Sequence, residues 1–290
     1  MTEQQDIKVI DTFSFNGEWV IRLRLEYLFP HVDEIVICES RYTHSGEKKP
    51  FLFKDKLSAW FEPYKSKIHW AIIEEFPKMT TEWEDTYKNH IWVHKDSRQA
   101  WFNDNYQRDF VISYIKEKYA DVPYILNAGD VDEVPAIDIF QESVRQVMYD
   151  KLAEVDKPLY LEMPIFFYNF NWKKTYNWYR PYILRNDQLT DEQTLSYWRF
   201  NFRPTFVLRE AGWHLSYFLE DVEIRRKLGS FSHREFDSKE WKSLSHIKKC
   251  IKEGEDIFDR NDTEKLVRED NLQFPDVFLS FTPELEFIQS

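Results

Sequence analysis

The chain has 290 residues, a length one large α/β core can still accommodate, and 42% of them are hydrophobic, enough to build that core. Its formal net charge of −12 excludes wrapping a nucleic-acid backbone, which needs clustered Lys and Arg. No stretch approaches the roughly 20 consecutive apolar residues of a membrane span, and the polar start MTEQQDIKV lacks the charged-then-apolar pattern of a secretory signal.

The first half alternates strand and helix patterns, which predicts an α/β fold with a central, mostly parallel sheet flanked by helices. Residues 7–15 read as a strand closed by the turn Asn16-Gly17, and 18–29 as an amphipathic helix that ends before Pro30. A second, almost wholly apolar strand covers 32–38. Cys38 within it reads as a buried thiol, and with Cys250 as its only companion there is no disulfide framework. Glu47-Lys48-Lys49 reads as an exposed loop. A helix over 54–64, a strand over 67–73 and a long helix capped by Ser97 and running to about 119 follow.

Residues 123–129 form a short strand that runs into Asp130-Val131-Asp132-Glu133, and Pro135 stops it. Beyond lie a helix over 137–155, an aromatic-rich strand over 159–172, an irregular lobe over 173–203, a strand over 206–218 and a helical tail over 223–253. This elaborated second half carries much of an aromatic content of 18%, set against only 6 Gly. Such rings serve either a heavy core or a surface that stacks on sugars.

The acidic run is the feature with the clearest chemistry. It follows a buried strand at its carboxyl end, where ligands bind in open α/β sheets. Two aspartates at i and i+2 of an extended segment share one side, so Asp130 and Asp132 can face one hard cation such as Mg²⁺ or Mn²⁺. The plainer reading is an Asp-rich turn capping the next helix, with Pro135 at its start. Uncompensated carboxylates crowded at a strand end repel one another, which favours a cation there. His214, in Gly212-Trp213-His214, is either a third metal ligand or a core histidine bonded to a backbone carbonyl. Lys227 closes the basic run Arg225-Arg226-Lys227 and either reaches a diphosphate or lies on a solvated face. Arg108, on the long helix, bridges to the acidic turn, contacts phosphate or forms a surface ion pair.

Taken in order, these pieces resemble glycosyltransferase family 17. The resemblance begins at FNGEW (15–19) and the following RLRLEYL. It is strongest over VDEIVICESRYTHSGEKKPFLF (32–53), and continues through DVDEVP (130–135) and AGWHLS (211–216) to Lys227-Leu228. The resemblance implies a GT-A-type nucleotide-binding fold, a UDP-sugar donor (UDP-GlcNAc, or another such as UDP-xylose), Mn²⁺ or Mg²⁺, and inversion at the anomeric carbon. Asp130 and Asp132 would be the metal and diphosphate residues, with His214 in the matching Gly-Trp-His motif. Asn16 and Glu39 stand on matching motifs at strand ends and would shape the donor pocket. An inverting transfer needs a carboxylate base, for which Asp221 is the first candidate and Glu220 the second; the same pair also reads as acids favoured by the dipole of the following helix.

One domain over 1–290 is expected, with a nucleotide-sugar half to about 135 and an acceptor-side half from 136. The partners would be the donor and a glycan or glycoconjugate acceptor. Animal members of the family carry a membrane anchor and stem, whereas this chain starts almost at the catalytic fold, so a cytoplasmic location is expected. Residues 173–203, where acceptor selection would lie, match nothing in the family pattern. The competing classes are a non-catalytic carbohydrate-binding protein on the same fold and a metal-dependent phosphoesterase.

Overall fold

A computed structural model describes residues 6–53, 58–90, 93–201, 206–233, 237–260, 265–269 and 274–279. Strands β1 (Lys8–Phe15), β2 (Glu34–Ser40), β3 (Ile68–Ile73) and β4 (Tyr124–Ala128) run parallel in the order β3-β2-β1-β4. Every residue of β2 and β4 is buried, as parallel strands covered on both faces require. Alternation then divides them between two cores. Val9, Ile35 and Ile37 pack with helix α1 (Val20–Leu28), whereas Ile10, Val36 and Leu126 join Val111 and Ile115 on the other face. The sheet continues through β9 (Tyr182–Arg185), antiparallel to β4, then β6 (Leu159–Leu161) and β10 (Val207–Leu208). The result is the expected α/β architecture, a central mostly parallel sheet flanked by helices.

A second sheet, in the order β12-β8-β7-β11-β5, consists of β12 (Leu266–Arg268), β8 (Trp172–Trp178), β7 (Met163–Phe167), β11 (Gly212–Ser216) and β5 (Glu133–Pro135). Two segments expected to be single strands therefore divide. Residues 159–172 split at Glu162 into β6 and β7, which join different sheets, and 206–218 split into β10 and β11. Gly212 makes the second division workable. Its φ is +144°, and a Cβ there would lie 2.2 Å from the Val134 carbonyl oxygen, so only glycine lets β11 close onto β5.

The expected lobe over 173–203 is ordered secondary structure instead: β8, β9 and helix α7 (Leu195–Phe200), whose Thr194 hydroxyl accepts from Tyr197 N. Its last two residues, 202 and 203, lie outside the described residues, as do 54–57 of the helix expected over 54–64. The described part of that helix is α2 (Ser58–Phe61) followed by a 3-10 turn, Glu62–Lys67. A further short helix, α3 (Thr81–Tyr87), was not expected.

The long helix expected from Ser97 breaks at Phe110-Val111 into α4 (Arg98–Asp109) and α5 (Ile112–Lys118). Ser97 makes no side-chain cap bond; its hydroxyl donates to the His94 carbonyl. Residues 137–155 begin as a 3-10 turn and continue as α6 (Glu142–Val155). The tail holds α8 (Asp221–Ser230), α9 (Leu244–Glu253) and α10 (Asp276–Leu279).

Candidate active site

Between β4 and β5 the chain turns through Gly129–Asp132, and a buried arginine from α1 holds that turn from behind. Arg24, fully buried, donates from Nε and Nη2 to the two carboxylate oxygens of Asp11 at 2.9 and 2.6 Å. Its Nη1 reaches the carbonyl oxygens of Asp130, Val131 and Glu133 at 2.9, 3.3 and 2.7 Å. Asn127 Nδ2 adds a third donor to Asp11 at 2.7 Å. A planar guanidinium with five fixed donors is the side chain that can satisfy both a carboxylate and a row of carbonyls. The turn does not cap a helix: Pro135 lies in β5 opposite Gly212, and the next helical turn opens on Ala136.

The acidic side chains then sort into two groups. Asp130 and Glu133 face a pair of arginines. Arg108 Nη2 donates to Asp130 Oδ1 at 2.8 Å. Arg199, from α7, bridges Asp130 Oδ2 and both Glu133 oxygens, the latter at 3.0 and 2.9 Å. Trp178 Nε1 and Asp130 N also donate to Glu133. Burial alone would raise the Asp130 pKa, but Arg199 and Arg108 outweigh it and hold the carboxyl well below its usual range. Both oxygens of Asp130 are thus engaged by guanidinium groups.

Asp132 is different. It is 6% exposed, Lys227 Nζ donates to its Oδ2 at 3.1 Å, and His214 Nε2 stands 3.8 Å from its Oδ1. The His214 ring leans on Trp178 at 5.1 Å, and its buried Nδ1 has no hydrogen-bond partner among the described residues. This excludes the reading of His214 as a core histidine bonded to a carbonyl. The donor set fits a divalent ion at Asp132 and His214, one carboxylate oxygen and one imidazole nitrogen side by side, and fits it poorly at Asp130. Among the described residues no three His, Cys, Asp or Glu side chains converge, so most of such an ion's shell would come from phosphate oxygens and water.

These groups open into a cavity of about 470 Å³. Its wall carries six cations, Arg108, Lys174, Arg180, Arg199, Lys227 and Arg260, against four carboxylates, Glu18, Asp104, Asp130 and Asp132. With Glu133 on Arg199 and Asp256 on both Lys174 and Arg260, these cations are matched in number by carboxylates on or just behind the wall. Aromatic rings, among them Trp101, Tyr176, Trp178 and Tyr217, supply stacking faces.

Of the residues singled out in the sequence, Asn16, Arg108, Asp130, Asp132, His214 and Lys227 line this cavity. The other three do not. Glu39 is wholly buried, accepts from the backbone N–H of Leu52 and Phe53, and pairs with Lys49 at 3.4 Å. It anchors the loop after β2, so Lys49 folds inward rather than standing in solvent. Glu220 is the N-cap of α8 without a side-chain cap bond, and Asp221, the first residue of that helix, pairs with Lys248 at 3.3 Å. Sequence reasoning missed Arg24, Asp11, Arg199, Lys174, Arg180 and Arg260. Arg24 alone left a signal, a cation on the apolar face of a predicted helix.

Comparison with known proteins bears on what this cavity serves. Three relatives, from Rattus norvegicus, Homo sapiens and Mus musculus, each bear the name beta-1,4-mannosyl-glycoprotein 4-beta-N-acetylglucosaminyltransferase. They are 27%, 27% and 26% identical over 175 residues, which is 58% of this chain. The match covers 28% of the length of each relative. The sequence model of glycosyltransferase family 17 matches residues 1–265, a range that includes FNGEW, the acidic turn, β11 and α8. By that match the chain belongs to glycosyltransferase family 17.

Proposed function

We propose that the chain transfers a sugar from a UDP-sugar, UDP-GlcNAc first, to a glycan hydroxyl with inversion, on a GT-A-type fold of one domain. The observation that carries this reading is the acidic turn itself. Asp130 and Glu133 are neutralised by Arg108 and Arg199, while Asp132 faces the charged, aromatic cavity beside Lys227 and His214. Asp132 and His214 would hold Mn²⁺ or Mg²⁺, which when bound neutralises the leaving diphosphate. Lys227 would contact the same diphosphate, Asn16 and the cavity aromatics would position nucleoside and sugar, and Arg108 and Arg199 would keep Asp130 ionised and the turn rigid. The relatives' name points to N-acetylglucosamine and a glycoprotein acceptor.

The base belongs to a carboxylate within reach of the acceptor hydroxyl. Neither Asp221 nor Glu220 lines the cavity, and Arg108, Arg199 and Lys227 engage Asp130 and Asp132, so we assign the base to Asp104, with Glu18 as its substitute, the other two carboxylates on the wall. The test is UDP release from a panel of UDP-sugars with Mn²⁺ and a glycan acceptor. Turnover of at least one donor is expected, lost on chelation and in Asp132→Ala, with kcat lowered by about 10² or more in Asp104→Asn. Turnover indifferent to both chelator and Asp132→Ala overturns the metal role; loss in Asp221→Asn but not Asp104→Asn returns the base to Asp221. Glycan binding without turnover of any donor would make the chain a carbohydrate-binding protein.

A further inference from the structure

The two oxygens of Asp132 meet unlike neighbours. Oδ2 accepts from Lys227 Nζ at 3.1 Å, a full ion pair with side chains 9% and 23% exposed. Oδ1 faces His214 Nε2 at 3.8 Å, too far for a hydrogen bond. Among the described residues His214 Nδ1 has no hydrogen-bond partner, and carboxylate and imidazole are set side by side without a hydrogen bond between them. Lys227 is the cation that satisfies Asp132 in this arrangement. Its other neighbours are the Glu18 carboxylate and a face of Tyr217, with the ammonium 5.6 Å from the ring centroid. A four-carbon stem ending in a compact ammonium can change partners by rotating, whereas Asp132, in the turn that Arg24 holds, and His214, on β11, stay in place.

We propose that Lys227 is a built-in counter-ion that occupies the cation position beside Asp132 until a nucleoside diphosphate draws it away, so that the divalent ion binds tightly only together with the nucleotide. This rests on the reading that Asp132 and His214 hold the ion. An ammonium and a divalent ion on one carboxylate repel each other, so the metal alone must displace Lys227 with only the neighbouring Glu18 carboxylate, among the described wall groups, to receive it. A diphosphate removes the conflict. It takes the ammonium as a partner and supplies oxygen ligands to the ion. Coupling of this kind is reciprocal: UDP tightens Mn²⁺ by the factor by which Mn²⁺ tightens UDP.

The experiment is calorimetric titration of Mn²⁺ into the full chain, with and without UDP, for wild type, Lys227→Met, Lys227→Gln and Asp132→Asn, each first shown to be folded by thermal melting. Wild type is expected to bind Mn²⁺ weakly alone and about tenfold or more tightly with UDP, within the usual range of coupling between two ligands. Both Lys227 variants are expected to bind Mn²⁺ alone about tenfold more tightly than wild type, with most of the UDP enhancement gone. Mn²⁺ affinity in the Lys227 variants equal to or below that of wild type overturns the proposal while leaving the metal site standing. Affinity unchanged in Asp132→Asn, or no Mn²⁺ binding by wild type even with UDP, removes the metal site and the proposal with it.

Discussion

Replacing Arg24 with methionine is expected to destabilise the fold by about 3–5 kcal/mol, the loss typical when one partner of a buried ion pair is removed. The physical reason is what remains. Asp11 is fully buried in the middle of β1, and without Arg24 it keeps only Asn127 as a side-chain donor among the described residues. The carbonyls of Asp130, Val131 and Glu133 lose their shared donor at the same time. Lysine should not rescue the site, because one ammonium cannot replace a fork that serves two carboxylate oxygens and three carbonyls. Adding Asp11→Leu to Arg24→Met should recover part of the loss, since the unpaired carboxylate is then gone. Urea unfolding of the four proteins measures this directly; a single variant within about 1 kcal/mol of wild type would mean that water reaches the turn and replaces the arginine.

The second large effect is expected at Arg199. This side chain, 11% exposed, bridges the carboxylates of Asp130 and Glu133, and Arg199→Gln leaves Arg108 as the remaining guanidinium on the Asp130 carboxylate among the described residues. Donor turnover should fall by about 10² or more, because the turn that presents Asp132 loses its frame. The pH dependence of stability gives a second signature. In the wild type the Asp130 carboxyl is held below its ordinary value of 3.8, by Arg199 first and Arg108 second against the opposing effect of burial. A depressed carboxylate pKa contributes stability that is present above pH 3.8 and lost as the pH falls through the folded-state value. The stability gap between wild type and Arg199→Gln should therefore be widest near neutrality and close as the pH falls below 3.8. A gap that stays constant down to the acid limit would show that Arg199 acts through packing alone.

The parts of this fold that were legible in the sequence are those where one local pattern decides the outcome. The apolar run at 32–38 could only be a buried strand, and the strand at 123–129 delivers the acidic turn to a sheet's carboxyl edge whatever happens elsewhere. β9 was not legible because its three buried residues, Tyr182, Ile183 and Leu184, form a strand only by inserting between β4 and β6, a pairing made across the whole domain. The division of 159–172 has a similar cause: β6 and β7 continue one apolar pattern, but their neighbours lie in different sheets.

The site follows the same rule. Asp130, Asp132, His214 and Lys227 sit on short motifs that survive being read alone. Arg199 acquires its role by meeting carboxylates 66 and 69 positions away in sequence. Arg24 and Asp11 are charged residues buried in α1 and β1, and a buried pair of that kind is recognisable only once both elements are known to touch. Spacing lets Asp130 and Asp132 both face one cation, with Asp132 the preferred direct ligand. The guanidinium groups on Asp130 separate them, and that separation depends wholly on tertiary structure.

The central claim is that the cavity at Asp132 holds a nucleoside diphosphate together with a divalent ion. Titration of UDP into the full chain with Mn²⁺ present tests it most directly. One site per chain is predicted, weakened about tenfold or more by chelation and by Asp132→Asn in folded protein. UDP binding by the folded variant as tight as by wild type, or none by wild type, would contradict it.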